Sequence, residues 1–97
     1  MTHIVNNKEI IREITVINKL GIHARPSSML VQIANQFEAD LFVSHDGQDE
    51  VNAKSIMGVM MLAAGQGTKL QFRAVGPDSE ELLDKIEQLI NSKFNEE

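Results

Sequence analysis

A chain of 97 residues with 42% hydrophobic residues is long enough for one folded domain and too apolar for a disordered segment. Its formal net charge of −5 and its four aromatic residues, all phenylalanine, do not favour nucleic acid, which is bound by basic surfaces and stacking rings. It contains no cysteine for disulfides or metal ligation, and no apolar run near the roughly 20 residues that a membrane helix requires.

The chain begins with a polar segment that we expect to lie outside the core. Met1–Ile10 contains no long apolar stretch, so it is not expected to be a secretory signal. We predict a flexible tail over residues 1–9 and a single domain over residues 10–97. Within that domain, hydrophobic and polar residues alternate over Arg12–Ile17, a pattern that predicts the first strand.

The first predicted helix follows a loop over Asn18–Ile22. Apolar residues recur at helical spacing and predict a helix over Ala24–Gln36. Pro26 is tolerated only in the first turn of a helix, where its missing N–H group is not needed. The cap of this helix is therefore expected at His23 or Arg25. Its apolar face would consist of Leu30, Ile33, Ala34 and Phe37.

His23 and Arg25 form a pair that is suited to phosphoryl chemistry. An imidazole is a nucleophile near neutral pH, and a helix N-terminus presents unpaired N–H groups and a partial positive charge. An arginine grips phosphate oxygens through two parallel hydrogen bonds. The alternative is that His23 is a polar cap and Pro26 ordinary helix punctuation, and the short pattern His-x-Arg-Pro alone favours that alternative.

The middle of the chain has the pattern of a hairpin followed by a short helix. Alternating residues predict strands over Asp40–Ser44 and Gln48–Ala53. Asp46-Gly47 between them predicts a tight turn, because glycine tolerates positive φ. A short helix is predicted over Ser55–Leu62 and is expected to end at one of the glycines that follow it.

The last part of the chain predicts a strand and a long helix. Lys69–Val75 alternates as a strand does. Asp78 and Glu81 have the spacing of an acidic capping box and would open the final helix. The resulting order is βαββαβα, and every strand is half polar. We therefore predict an α+β open-faced sandwich, with a four-stranded antiparallel sheet and three helices on one face.

Two segments in this order and at this spacing resemble a known family. Asn18–Pro26 reads Asn-Lys-Leu-Gly-Ile-His-Ala-Arg-Pro, and Ala53–Met60 reads Ala-Lys-Ser-Ile-Met-Gly-Val-Met. Each motif is moderately specific, but both together inside a βαββαβα chain of this length are highly specific. The chain resembles the HPr family, the histidine phosphocarriers of the bacterial phosphoenolpyruvate-dependent phosphotransferase system, over about Glu13–Ser92.

The resemblance implies a role for each residue of the first motif. His23 would accept a phosphoryl group on Nδ1 from phosphorylated enzyme I and pass it to enzyme IIA proteins or domains. Arg25 would attend the phosphoryl group, and Pro26 would open the helix. The protein would be a stoichiometric carrier rather than an enzyme, would need no metal or cofactor, and would act as a cytoplasmic monomer without binding nucleic acid or entering a membrane.

Ser55 precedes the second predicted helix, and its position by itself indicates a helix cap. The resemblance adds a regulatory role, since the matching serine is phosphorylated by an ATP-dependent kinase in many bacteria. The implied further partners are an HPr kinase/phosphorylase and a transcription regulator. A phosphate at this helix start should be tolerated by the fold, so it should act by repelling a partner.

The second predicted helix is too short to bury all its apolar residues. Some of its methionines are expected to fill the core, and the others to form an exposed patch that docks partners. In the family this helix and the first one form the docking face. We expect Ile56, Met57 and Met60 to contact partners, and Met61 and Leu62 to lie mostly in the core.

The remaining polar residues have simpler interpretations. His3 and His45 lack ligand-like spacing with any other residue, so both are expected at the solvated surface. Glu80-Glu81 is expected to complement the dipole at a helix start. Glu96-Glu97 is expected to be a solvated tail.

Two other functions compete with a phosphoryl carrier. A purely regulatory module of the same fold would act through phosphorylated Ser55, but members specialised in this way lack the active histidine, whereas His23 is present. The segment Asn18–Gly21 and the C-terminal residues resemble nitrogen-branch carriers, which leaves the sugar and nitrogen branches open. A small metal or nucleic-acid binder is disfavoured by the scattered histidines and the acidic balance.

Overall fold

The computed structural model describes residues 8–96. In chain order, these residues form β1 (Glu9–Thr15), α1 (Ala24–Ala34), β2 (Asp40–Ser44), β3 (Val51–Asn52), α2 (Ile56–Met60), β4 (Lys69–Val75) and α3 (Ser79–Asn91), followed by a single turn over Lys93–Asn95. The predicted order βαββαβα is confirmed.

The four strands form one antiparallel sheet in the order β1-β4-β2-β3. β4 lies between β1 and β2 and pairs with β1 along its whole length, from Glu9 opposite Val75 to Thr15 opposite Lys69. Because side chains alternate across a strand, one face of β4 is buried while the other is partly open. The buried residues are those that the sequence predicted, Leu70, Phe72 and Ala74.

The helices cover one face of this sheet and complete the core. α3 buries the five residues of its predicted apolar face, Leu82, Leu83, Ile86, Leu89 and Ile90. α1 buries Leu30 and Ala34, while Ile33 and Phe37 pack against the core only in part. The predicted α+β open-faced sandwich is therefore confirmed.

The first strand differs from its prediction, because β1 begins at Glu9 and ends at Thr15 rather than spanning Arg12–Ile17. Arg12 interrupts the apolar pattern on the helix-covered face of the strand, where its guanidinium donates to Asp84 and Glu87 of α3 at 2.9 Å each. The alternation of apolar and polar residues is therefore clear in the sequence only from Arg12 onward. Val16, beyond the end of β1, still exchanges backbone hydrogen bonds with Gly67 and Thr68.

Three other element bounds were predicted too generously. β3 contains only Val51 and Asn52, although Ala53 N–H extends the ladder by donating to the Leu41 carbonyl at 2.8 Å. α1 ends at Ala34, and α2 spans Ile56–Met60 with its cap at Met61, before the glycines that were expected to end it. The tight turn is confirmed, since Asp46 and Gly47 have φ of 54° and 72° and Gln48 N–H donates to the His45 carbonyl.

The predicted capping box of α3 is wrong. Asp78 occupies the N-cap position, but its side chain makes no capping hydrogen bond. It accepts instead from the backbone N–H groups of Glu38 at 3.0 Å and Ala39 at 2.8 Å. The carboxylate is used to fasten the loop between α1 and β2 to the start of α3. Glu80 and Glu81 do lie in the first turn of α3, as predicted.

Most of the predicted N-terminal tail, residues 1–9, lies outside the described residues. Met1 to Asn7, which include His3, lie outside the described residues, as does Glu97. Glu9 belongs to β1, and the Lys8 carbonyl accepts hydrogen bonds from Gly76 N–H and the Ser79 hydroxyl.

Candidate functional site

His23 is the N-cap of α1, one of the two positions that the sequence allowed. Its backbone is extended, with φ of −93° and ψ of −164°, and its side chain makes no capping hydrogen bond. Its carbonyl accepts from Ser27 N–H at 2.9 Å, and Pro26 lies buried in the first turn. The first N–H groups of a helix have no intrahelical acceptor, so the start of α1 presents donors and a partial positive charge beside the imidazole.

The loop before α1 is fastened from inside the protein. Asn18 is completely buried, and its amide donates to the Gly21 carbonyl at 2.8 Å. Gly21 has φ of 71°, and a Cβ there would lie 2.5 Å from the Ala64 carbonyl oxygen. Ile22 N–H donates to that same carbonyl at 2.8 Å. The loop that presents His23 is therefore held against the segment after α2, and glycine is required at its tightest point.

The C-terminal end of the described chain reaches the same site. Glu96 Oε2 lies 2.6 Å from His23 Nε2, and Glu96 Oε1 accepts from the Asn18 amide at 2.9 Å. The expectation that Glu96 is a solvated tail residue is wrong, because only 11% of its side chain is exposed. The hydrogen bond from Asn18, followed by that with His23, holds the pKa of Glu96 below its usual value against the opposing effect of burial.

Arg25 lies beside this cluster and is exposed over 55% of its side chain, whereas His23 is exposed over 38%. The guanidinium Nη1 donates to the Phe94 carbonyl at 3.1 Å and lies 3.8 Å from Glu96 Oε2. The structure thus brings His23 and Arg25 together at the start of α1, as the sequence predicted. It adds Asn18 and Glu96, which sequence reasoning missed.

Nothing in the local sequence marks Glu96 as a site residue, because the residues that it contacts lie more than 70 positions away. One weak signal is Phe94, a large apolar residue beyond the polar end of α3. Its side chain is fully buried, and it anchors the C-terminal turn. Lys93, Phe94 and Asn95 all have φ between 54° and 58°, the left-handed region that non-glycine residues rarely adopt.

Ser55 is the N-cap of α2, as predicted, and its hydroxyl accepts from Gly58 N–H at 3.2 Å. The residue is half-buried rather than sealed in the core. α1 and α2 pack against each other. Their ends are joined by two hydrogen bonds, from Asn35 Nδ2 to the Lys54 carbonyl and from Lys54 Nζ to the Phe37 carbonyl.

The helix α2 presents most of its apolar residues to solvent, as the sequence predicted. Ile56, Met57 and Met60 are exposed over 42%, 70% and 45% of their surface. Leu62 is buried as expected, but the prediction that Met61 lies mostly in the core is wrong, because 73% of it is exposed. The helix has a single buried residue, Val59, so the methionines on either side of that residue face outward.

His45 is not a solvated surface residue, contrary to expectation, because only 10% of its side chain is exposed. Nδ1 lies 2.9 Å from Asp46 Oδ2, and Nε2 lies 2.7 Å from the Leu62 carbonyl. Both partners are acceptors, so the doubly protonated ring satisfies both contacts. The hydrogen bond with Asp46, and then that with Leu62, raises the pKa of His45 above its usual value.

Neither a metal site nor a membrane-spanning helix is found in the described part of the chain. No group of three or more His, Cys, Asp or Glu residues among residues 8–96 is arranged to hold a metal ion. No helix among these residues is long and apolar enough to cross a membrane.

Comparisons with known proteins agree with this architecture. The family described as "PTS HPr component phosphorylation site" matches residues 10–92. The phosphocarrier protein HPr of Cupriavidus necator is 48% identical over 85 residues, which are 88% of this chain and 94% of that protein.

Two solved structures of HPr proteins have similar folds. The crystal structure of HPr-C-His from Thermoanaerobacter tengcongensis has a TM-score of 0.83 and 43% identity, covering 93% of this chain and 98% of that chain. A structure described as an HPr dimer from the same organism has a TM-score of 0.69 and 38% identity, covering 97% of this chain and 98% of that one. The chain therefore belongs to the HPr family, the phosphocarrier proteins that serve the phosphotransferase system as non-enzymatic components.

Proposed function

We propose that His23 accepts a phosphoryl group from phosphorylated enzyme I and passes it to enzyme IIA proteins. The observation that carries the proposal is the half-exposed imidazole at the start of α1 beside the exposed Arg25. The contact with Glu96 uses Nε2, so Nδ1 is the ring nitrogen left for an incoming phosphorus. Phosphoryl transfer needs mainly positioning and charge stabilisation, which the helix start and Arg25 supply.

The direct test uses purified protein with enzyme I and phosphoenolpyruvate. Wild-type protein should acquire acid-labile phosphate and should lose it to an enzyme IIA protein. His23→Ala should acquire none, while His45→Gln, which alters a histidine outside the site, should be labelled as the wild type is. Full labelling of His23→Ala would refute the assignment.

Ser55 is proposed as a regulatory phosphosite for an ATP-dependent HPr kinase/phosphorylase. Its half-buried hydroxyl caps α2, so a phosphate there would meet the partial positive end of the helix. The same charge would lie beside the exposed residues of α2, where it would oppose an approaching partner. Ser55→Asp should slow the phosphorylation of His23 by enzyme I and leave the melting temperature almost unchanged. A wild-type rate in Ser55→Asp would contradict the regulatory role.

Ile56, Met57 and Met60 are proposed as the docking surface for enzyme I and enzyme IIA proteins. Their exposure on a short helix that packs against α1 supports this role, because exposed apolar patches mark interaction sites. Met61, at 73% exposure, belongs to the same surface. Replacing Met57 by Glu should weaken binding to enzyme I, while replacing the exposed Ile11 of β1 by Glu should not.

The cellular setting is part of the same proposal. Such a carrier would act in the cytoplasm as a monomer and would also bind a transcription regulator when Ser55 carries phosphate. The alternative is a mainly regulatory module, in nitrogen-branch signalling or through phosphorylated Ser55. This alternative would be favoured if His23 accepted a phosphoryl group from enzyme I but no sugar-specific enzyme IIA removed that group.

A further inference from the structure

The contact between Glu96 and His23 has a chemical consequence for the imidazole. Glu96 Oε2 lies 2.6 Å from His23 Nε2, and an ionised carboxylate only accepts hydrogen bonds. Nε2 must therefore carry a proton in this contact. A neutral imidazole has a single N–H group, so the lone pair is then on Nδ1.

The carboxylate is itself held in place by buried groups. Its other oxygen accepts from the amide of Asn18, which is completely buried and has its second hydrogen bond to the Gly21 carbonyl. The bond to Glu96 orients the carboxylate toward His23. The bond to Gly21 ties the Asn18 side chain to the loop that carries His23. Asn18 is thus a support for Glu96 and not a group that reaches the imidazole.

The backbone around Glu96 also indicates that this contact is built into the fold. The chain passes from α3 to Glu96 through three successive residues in the left-handed region, Lys93, Phe94 and Asn95. Such residues persist only where the surrounding structure holds them, and they cluster at functional sites. Here the fully buried ring of Phe94 and the hydrogen bond from Arg25 to the Phe94 carbonyl hold the turn.

We infer that Glu96, oriented by Asn18, is a positioning residue that keeps the proton of His23 on Nε2 and thereby leaves Nδ1 as the nucleophile. The inference rests on the proposed function, because it concerns the same histidine. In the transfer step, the Nδ1 lone pair forms the new P–N bond while the bond from phosphorus to the donor atom breaks and its electrons leave with the donor. The proton stays on Nε2, and the positive charge that develops on the ring faces the Glu96 carboxylate.

The test is the tautomer of His23 in the unphosphorylated protein. In Glu96→Gln, the side-chain oxygen still accepts from Asn18, so the new NH₂ group faces His23 Nε2 and favours the tautomer with its proton on Nδ1. Nitrogen-15 NMR of the histidine rings at about pH 9, where ordinary imidazole is neutral, should show the proton on Nε2 in the wild type and a larger Nδ1–H population in Glu96→Gln. Glu81→Gln, an equal change of charge at an exposed site of α3, should behave as the wild type does.

The rate of His23 phosphorylation by enzyme I provides the second readout. We expect it to fall about tenfold or more in Glu96→Gln and to stay unchanged in Glu81→Gln. An unchanged tautomer in Glu96→Gln would overturn the inference, whatever the rate does, and a shifted tautomer with a wild-type rate would overturn the importance of Glu96 for transfer. Failure of the proposed function would look different, because His23→Ala would then still be labelled while the tautomer result stood on its own.

Discussion

Arg25 has an exposed guanidinium that donates a hydrogen bond to the Phe94 carbonyl at 3.1 Å. One partly exposed hydrogen bond contributes little to stability, whereas a cation beside the proposed phosphoryl acceptor would stabilise transferring charge. We predict that Arg25→Ala lowers the free energy of unfolding by less than about 1 kcal/mol. The rate of phosphoryl transfer should fall at least about tenfold, which is about 1.4 kcal/mol of barrier.

The two effects of Arg25→Ala are separable by urea unfolding and by transfer kinetics with enzyme I. Arg73→Ala, which removes an arginine from the far face of the sheet, is the matched control for the kinetics. A large loss of stability with a normal transfer rate would make Arg25 a structural residue.

His45 predicts a pH dependence of stability. Its pKa is raised in the folded protein, so its contribution is fully present below the unfolded value and is lost as pH rises through the folded value. Wild-type protein should therefore lose stability as pH rises above about 6.5, the ordinary histidine pKa. Urea unfolding of His45→Gln should show a smaller loss over the same range.

Asp46→Asn provides the control for this pH effect. Asparagine tolerates the positive φ of position 46 and still offers an acceptor, but it removes the charge that favours the protonated ring. The pH dependence should become weaker in this variant also. Equal pH dependence in the wild type and in His45→Gln would show that His45 does not titrate in this range on unfolding.

At the residue scale, the sequence predicted the surroundings of a side chain correctly where a local motif determines them. It failed where residues distant in the sequence determine them. His23 and Arg25 were placed correctly because Pro26 and the helical spacing define the start of α1. His45 and Glu96 were expected in solvent, because a polar residue in a hairpin or near a chain end is usually exposed. Their partners, Leu62 and Asn18, become neighbours only after the chain has folded.

At the scale of elements, strands whose buried residues alternate without interruption were predicted with correct bounds. β2 and β4 are examples. The predicted start of β1 was too late in the chain, because Arg12 occupies a position on the helix-covered face of the strand. Its charge is neutralised there by Asp84 and Glu87 of α3. In the sequence, an arginine that is paired inside the fold cannot be told from one that faces solvent. Periodicity alone therefore does not identify the part of the strand that contains it.

Gly58 lies in the short helix α2, where the packing of the helix against β3 leaves no room for a larger residue. Alanine usually stabilises the interior of a helix by about 0.5–1 kcal/mol relative to glycine. Here a Cβ would lie 2.9 Å from the Asn52 carbonyl oxygen, a backbone atom that has little room to move. We predict that Gly58→Ala is destabilising, by about 1–3 kcal/mol, as overpacking is.

The control for Gly58→Ala is Gly65→Ala, where a Cβ would have no heavy atom within 4 Å among the described residues. Urea unfolding should show little change for that variant. If Gly58→Ala proved as stable as the wild type, the close packing of α2 on β3 would be wrong.

At the scale of the whole molecule, the site is assembled from three parts of the chain. Ile22 N–H donates to the Ala64 carbonyl, and Asn18 and His23 meet Glu96 near the other end of the sequence. The fold class could be predicted because periodicity is local and repeated in every element. The complete site could not, since it depends on how the C-terminal turn packs after α3.

Asp78 makes one such long-range connection, because its carboxylate accepts from the N–H groups of Glu38 and Ala39. In Asp78→Asn the amide can accept from only one of these groups, and its NH₂ opposes the other, which leaves a donor of the buried Ala39 or its neighbour unsatisfied. We predict a loss of about 1–3 kcal/mol in the free energy of unfolding at pH 7. Asp49→Asn, which changes the same charge at an exposed position, should change stability little.

The pH dependence of this loss distinguishes the carboxylate from other causes. These N–H groups lower the pKa of Asp78 despite the opposing effect of its partial burial, so its contribution is present above the unfolded pKa and is lost as pH falls through the folded one. The difference in stability between the wild type and Asp78→Asn should therefore shrink as pH falls from 7 to about 3, which is below the ordinary aspartate pKa. Glu50 and Glu96 have lowered pKa values in both proteins, so their effect cancels in this difference. A difference in urea midpoints that stayed constant down to pH 3 would show that Asp78 stabilises the fold by packing rather than through its charged carboxylate.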